Sequence, residues 1–85
     1  MWKFKWIAWN RRKIAAHGLS AHEVEAAFDL VASLEERGDG SFRMLAETPS
    51  GRRIWVIWRP DREDDDVPDI FDDLDDAPVF VITAY

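Results

Sequence analysis

The sequence contains no cysteine, so disulfide bonds and thiolate metal sites are excluded, and a reducing, cytoplasmic compartment is expected. It also contains no long apolar run. The N-terminal stretch MWKFKWIAW is interrupted by two lysines and has no small-residue cleavage site. We therefore expect neither a signal peptide nor a membrane span.

The apolar residues that are present suffice for one core. Of the 85 residues, 47% are hydrophobic, and they include five Trp and five Phe. A chain of this length buries roughly 60–65% of its unfolded surface when it folds. No internal repeat is visible, so we expect a single domain over residues 1–85.

The charges are distributed unevenly along the chain. Residues 61–76 hold ten acidic residues and one Arg, a net charge of −9, whereas residues 1–60 hold ten Lys/Arg and seven Asp/Glu, a net charge of +3. The sequence thus describes a mildly basic body with an acidic loop insertion at 61–76. A pI of about 4.7 therefore does not exclude a polyanionic ligand.

Two helices are predicted on either side of Gly18. Asn10 is a suitable N-cap for a first helix through Ala16, and Gly18 lies where a left-handed C-cap residue is usual. Ser20 and Glu23 have the S-x-x-E spacing of a capping box that opens a second helix. This interpretation explains the segment AHGLSAHEVEAAF as a joint between helices.

Strands are predicted in the remaining segments. WKFKWI at 2–7 alternates aromatic and basic residues, which is typical of a half-buried strand with a basic outer face. FRMLAE at 42–47, RIWVIW at 53–58 and VFVITA at 79–84 are also strand-like, whereas residues 31–37 suit either a helix end or a strand. The predicted class is α+β: an antiparallel sheet of four to five strands with two N-terminal helices packed on one face.

Both histidines lie in the predicted joint, which raises the question of a metal or DNA-binding site. His22 and Glu25 are spaced to chelate, but two ligands do not make a zinc site, so we expect no metal. A helix-turn-helix DNA reader is the rival use of such a joint. The second helix would then present Glu23, Glu25 and Asp29 to phosphates, which argues against it.

Several short motifs occur in a fixed order along the chain. They are W-N at 9–10 with Lys13, H-G-L-S at 17–20, Glu23 through Phe28, then Arg43, Thr48, G-R at 51–52, Ile54 and Val56, and finally V-I-T-A-Y at 81–85. Over residues 2–59 and 79–85 this combination resembles the BrnT family of toxins. Family members usually continue into a final helix rich in Arg and Glu, whereas this sequence ends at Tyr85, and its first helix is shorter by about a turn.

The resemblance implies a RelE-like fold and a toxin-like ribonuclease that inhibits translation by cleaving RNA. Its partner would be an antitoxin, commonly one of ribbon-helix-helix type. The alternative is a non-catalytic BrnT-like protein-interaction module, which keeps the fold without the chemistry.

RNA cleavage of this kind requires an activated 2′-hydroxyl, a stabilised phosphorane and a protonated leaving oxygen. By the resemblance, the catalytic candidates are Arg43, Arg52 and His17. Further RNA-binding candidates are Arg53, Arg59, Lys3 and Lys5; the competing interpretation for each is a solvated surface charge. No cofactor and no metal are expected, so the enzyme would be a metal-independent endoribonuclease.

The acidic segment 61–76 has two interpretations. Asp-rich runs are usually solvated, but this one is interrupted by Ile70, Phe71 and Leu74, which a solvating linker would not need. We therefore also consider that it docks on the basic sheet or on a partner and suppresses nucleic-acid binding. Calcium binding is disfavoured, because the run lacks the glycine of an EF-hand loop.

Overall fold

Seven helices and strands make up residues 3–61 and 78–85, the part of the chain that the computed structural model describes. In chain order they are β1 (Phe4–Lys5), α1 (Ala8–Ala15), α2 (Ala21–Ala27), β2 (Val31–Glu36), β3 (Phe42–Glu47), β4 (Arg53–Pro60) and β5 (Val79–Ala84). The α+β class is confirmed. Residues 31–36 form a strand, which settles the one segment that the sequence left open.

The sheet has five strands in the order β1-β5-β4-β3-β2. The pairs β2–β3, β3–β4 and β4–β5 are antiparallel, but β1 lies parallel to β5. The prediction of a wholly antiparallel sheet is therefore wrong at one edge. Alternating side chains specify which face a residue occupies, but they carry no information about the direction of the neighbouring strand.

One face of the sheet carries both helices, as predicted. Ile14 from α1 and Val24 and Ala27 from α2 belong to a single buried cluster with residues of β3, β4 and β5. Phe4 and Trp6 pack against this cluster from the β1 edge, so the aromatic side of the first strand faces the core. The opposite face of the sheet has no helix among the described residues.

Asn10 does not cap α1 in the way predicted. The helix begins three residues earlier than predicted, with Ile7 as N-cap, and Asn10 occupies the third helical position. From there its Oδ1 accepts a hydrogen bond from the Ile7 amide at 2.7 Å, and its Nδ2 donates to the Lys5 carbonyl at 3.0 Å. Asn10 is fully buried, so it satisfies two backbone groups of the β1–α1 connection that water does not reach.

The joint between the helices is confirmed. Gly18 has a φ of 76°, in the region that favours glycine, and it follows the end of α1. The Ser20 hydroxyl accepts from the Glu23 amide at 3.2 Å, while the Glu23 carboxylate accepts from the Ser20 amide at 2.9 Å. These are the two reciprocal bonds of a capping box.

The β2–β3 hairpin turns through GDG at 38–40. Ser41 donates to the Asp39 carboxylate from its hydroxyl and from its amide, the latter at 3.0 Å. These bonds, the hydroxyl bond first, lower the pKa of Asp39 below its ordinary value.

The acidic insertion leaves the sheet between β4 and β5. Its first residue, Asp61, donates its amide hydrogen to the Pro78 carbonyl at 2.7 Å. The predictions for Ile70, Phe71 and Leu74 fall outside the described residues. Within residues 3–61 and 78–85, no helix is long and apolar enough to cross a membrane.

The first prediction concerns Asn10. We expect Asn10→Ala to lower the free energy of unfolding by about 1–3 kcal/mol, because it leaves a buried amide and a buried carbonyl without partners. Asn10→Asp keeps an acceptor for the Ile7 amide but places a carboxylate beside the Lys5 carbonyl at a buried site, so we expect it to be destabilising as well. Chemical denaturation of the three proteins measures the difference, and equal stabilities for Asn10→Ala and wild type would contradict the proposed role.

The second prediction concerns the helix joint. Ser20→Ala is expected to cost about 0.5–2 kcal/mol through loss of the cap. Gly18→Val should cost more, because a β-branched side chain is strained at positive φ. Ala16→Ser, at an exposed site nearby, serves as the control. Melting temperatures for both test variants equal to that of the control would show that the joint does not limit stability.

Candidate functional site

The turn between β3 and β4 positions Arg52. Thr48 is buried, and its hydroxyl accepts a hydrogen bond from the Arg52 amide at 3.1 Å. The Thr48 amide donates to the Arg52 carbonyl at 2.8 Å, and Gly51, at a φ of 93°, allows the chain to reverse between them. The backbone of Arg52 is therefore fixed at both its donor and its acceptor.

The side chain of Arg52 reaches the joint between the helices. Its Nη2 donates to the backbone carbonyl of His17 at 2.8 Å. A Cβ built at Gly18 would lie 3.6 Å from Arg52 Nη1, so the guanidinium passes close to the glycine. Since this bond uses one of the five N–H donors of a guanidinium and the residue is exposed, Arg52 remains accessible to an anion.

Tyr85 completes this corner of the molecule. Its ring centroid lies 5.8 Å from that of His17, with the two planes inclined at 50°. Reciprocal backbone bonds of 2.9 Å with Trp55 hold Tyr85 at the end of β5. We call His17, Arg52 and Tyr85 the corner cluster. It combines a cation, an imidazole and a phenol, which are groups able to stabilise a phosphate and to transfer protons.

Arg43 lies elsewhere on the sheet. On β3, Arg43 pairs in register with Ile57 of β4. Arg53, the neighbour of Arg52 in sequence, pairs with Glu47, which lies four residues after Arg43 on β3. These four residues separate Arg43 from that end of the sheet by about 13 Å along the strand. The Nη2 atom of Arg43 contacts Glu35 Oε1 at 3.0 Å.

The surroundings of Arg43 confine its guanidinium. The group lies 4.5 Å from the Trp55 ring centroid, as in a cation–π contact. Its Nε is buried and has no hydrogen-bond partner within the described part of the chain. The structure therefore does not bring Arg43 to the corner cluster.

Two of the predicted RNA-binding cations share one carboxylate. Asp61 Oδ2 lies 3.1 Å from Lys5 Nζ, and Asp61 Oδ1 lies 3.7 Å from Arg59 Nη1. Asp61 belongs to the acidic segment, and its side chain is mostly buried between the two cations. At least one acid of that segment therefore neutralises positive charge on the helix-free face of the sheet.

The other two RNA-binding candidates lie on the rim of the sheet. Arg53 is the first residue of β4 and is exposed. Lys3 precedes β1 and is also exposed, while its carbonyl accepts from the Val79 amide at 2.7 Å and helps to hold β1 on β5.

The possible chelating pair His22 and Glu25 does not form a larger group. Glu25 Oε2 accepts a hydrogen bond from the indole of Trp6 at 2.7 Å, which joins the residue after β1 to α2. Over residues 3–61 and 78–85, no three His, Asp or Glu side chains come together in a group that could hold a metal ion.

The sequence predicted His17 and Arg52 together as catalytic candidates. It did not predict Tyr85 as a member of the corner cluster or Asp61 as the partner of Lys5 and Arg59. Tyr85 occurred in the sequence analysis only as the last residue of the V-I-T-A-Y motif, because its place beside the helix joint depends on the arrangement of the strands in the sheet. Asp61 was one of ten similar acids in its segment. Its individual contacts with Lys5 and Arg59 follow from its position at the end of β4.

Comparisons with protein-family models, with curated proteins and with solved structures found no match to this chain.

Proposed function

We propose that this protein is a toxin-like ribonuclease of a type II toxin–antitoxin pair, with a BrnT-like variant of the RelE fold. The corner cluster carries the proposal: it gathers an exposed Arg, a His and a Tyr from three separate segments of the chain. The motif order of the sequence supplies the family, and the partner that this implies is an antitoxin of ribbon-helix-helix type.

The proposed reaction needs no metal or cofactor. The 2′-oxygen of the RNA attacks the adjacent phosphorus, its proton passes to a base, and the bond from phosphorus to the 5′-oxygen breaks. The leaving oxygen takes up a proton, which gives a 2′,3′-cyclic phosphate and a free 5′-hydroxyl. In this scheme Arg52 stabilises the charge of the phosphorane. His17 and Tyr85 are the two groups that accept the proton of the 2′-hydroxyl and donate a proton to the leaving 5′-oxygen.

The second candidate is a non-catalytic interaction module, and one observation favours it. Arg43, Lys5 and Arg59 are each within 4 Å of a carboxylate, which reduces the positive potential that they offer to RNA. Under this alternative the sheet binds a protein partner, and purified protein does not cleave single-stranded RNA.

The third prediction separates these two functions. His17→Ala and Arg52→Ala are each expected to lower kcat on single-stranded RNA by about 100-fold or more, since one aligned group stabilises a transition state to that extent. Arg43→Ala should act mainly on KM, because Arg43 lies away from the corner cluster. Initial rates on a labelled oligoribonucleotide measure these effects.

Two controls accompany this experiment. Arg52 binds the backbone carbonyl of His17, so His17→Ala leaves that bond intact, and Arg52→Lys keeps the charge. Thermal unfolding shows whether each variant is folded. Full activity of folded His17→Ala together with folded Arg52→Ala would exclude the corner cluster, and inactive wild-type protein would favour the interaction module.

The fourth prediction concerns Asp61. Asp61→Asn removes the carboxylate that contacts Lys5 and Arg59, so we expect about two- to fivefold tighter binding of single-stranded RNA at low salt. The gain should shrink as salt screens the phosphate contacts. Glu36→Gln makes the same change of charge on the opposite edge of the sheet and is the matched control. Fluorescence anisotropy of a labelled oligonucleotide gives both affinities, and an equal effect of the two substitutions would argue against local neutralisation by Asp61.

A further inference from the structure

Two aromatic rings from distant parts of the chain lie side by side where α1 meets β5. The ring centroids of Trp9 and Phe80 are 6.0 Å apart, and their planes are inclined by only 19°. Trp9 is 44% exposed although it is a large apolar residue, and Phe80 is partly exposed beside it. We call this pair the aromatic ledge.

A cation lies over each ring of the ledge. Lys13 Nζ is 5.2 Å from the Trp9 centroid, and Arg59 Cζ is 4.6 Å from the Phe80 centroid. The positions follow from the local structure: Lys13 is one helical turn after Trp9 in α1, and Arg59 pairs with Phe80 across β4 and β5. Lys13 therefore places positive charge beside an exposed aromatic surface, and Arg59 lies on the other side, where Asp61 Oδ1, 3.7 Å from its Nη1, offsets part of its charge.

The two edges of the sheet differ in charge in the same sense. Residues 3–16, which form β1 and α1, contain five Lys/Arg and no Asp/Glu. Residues 20–39, which form α2 and the opposite edge strand β2, contain six Asp/Glu and one Arg. The aromatic ledge lies at the positive edge, where a polyanion is attracted.

Packing of α1 against β5 leaves part of the ledge surface unused. An aromatic pair that only fastens α1 to β5 gains most when it is fully buried, because the stabilisation grows with the apolar area removed from water. Trp9 instead keeps 44% of its surface exposed, beneath a lysine. Exposed rings with cations beside them are the combination by which proteins hold single-stranded nucleic acid: bases stack on the rings and phosphates contact the cations.

We propose that the aromatic ledge is a base-stacking subsite for single-stranded RNA, with Lys13 and Arg59 contacting the flanking phosphates. The identity of the polymer as RNA rests on the proposed function. A duplex does not fit this subsite in the same way, because its bases are already stacked inside the helix. The ledge thereby binds the substrate strand, and the corner cluster performs the chemistry.

The experiment uses a labelled single-stranded 2′-O-methyl oligonucleotide, which has no 2′-hydroxyl to attack phosphorus and therefore reports binding without cleavage. Trp9→Leu removes the ring and keeps an apolar side chain, whereas Trp9→Phe keeps a ring. We expect Trp9→Leu to weaken binding by about 5- to 150-fold, the range found for loss of one stacked base, and Trp9→Phe to weaken it much less.

Two controls separate stacking from a structural role. Leu34→Ala alters an exposed apolar residue of the opposite edge, 55% exposed, and should leave the affinity unchanged. An oligomer of the same length with abasic sugars retains the phosphates but offers no bases, so wild type and Trp9→Leu should bind it equally. If Trp9→Leu weakens binding of both oligomers to the same extent, Trp9 acts through the fold and the subsite is excluded.

The outcome can be distinguished from failure of the proposed function. If wild-type protein binds the 2′-O-methyl strand through Trp9 but cleaves no RNA, the stacking subsite is supported and the ribonuclease function is excluded. If wild type and Trp9→Leu both cleave RNA with the same KM, the ribonuclease function is supported and the stacking subsite is excluded. Absence of binding by wild-type protein would overturn the ledge directly.

Discussion

The buried amide of Asn10 is the interaction on which the N-terminal half of the structure depends. It bonds at once to the last residue of β1 and to the N-cap of α1, so it fixes the direction in which the helix leaves the sheet. The placement of α1 determines where the joint at Gly18 lies, and hence where Arg52 finds the His17 carbonyl. The same helix carries Trp9 to Phe80. Both proposed sites therefore depend on one side chain that belongs to neither.

The sequence predicted those features that are encoded locally. The capping box of Ser20 and Glu23, the left-handed Gly18 and the apolar strands near the C-terminus each involve residues close in sequence, and each is confirmed. Asn10 was assigned to the wrong helical position, because its preferred partner is a carbonyl of the preceding strand and a capping pattern does not reveal that contact. The parallel alignment of β1 was missed for a similar reason, since β5 is the last strand of the chain.

The candidate site was predicted in part. His17 and Arg52 are 35 residues apart in sequence, and their contact follows from the sheet and the joint together. Arg43 was grouped with them by residue type and motif order, but β3 places it beside Glu35 and Trp55. A list of basic residues cannot show which of them share a corner, because that depends on the strand register and on the direction of each pairing. The neighbours of Tyr85 and Phe80 likewise depend on the place of β5 between β1 and β4.

The two edge strands of the sheet differ in how well they are covered, and this affects how readily two molecules can pair edge to edge at high concentration. β1, with α1 beside it, covers one edge, whereas all six residues of β2 are exposed and leave a row of backbone groups at the other. Such a row is a template on which further strands can add. In β2 it is interrupted by an irregular register between Val31 and Ser33 and ends in two glutamates. Copies that approach along this edge meet an irregular backbone and like charges, both of which oppose the addition of further strands.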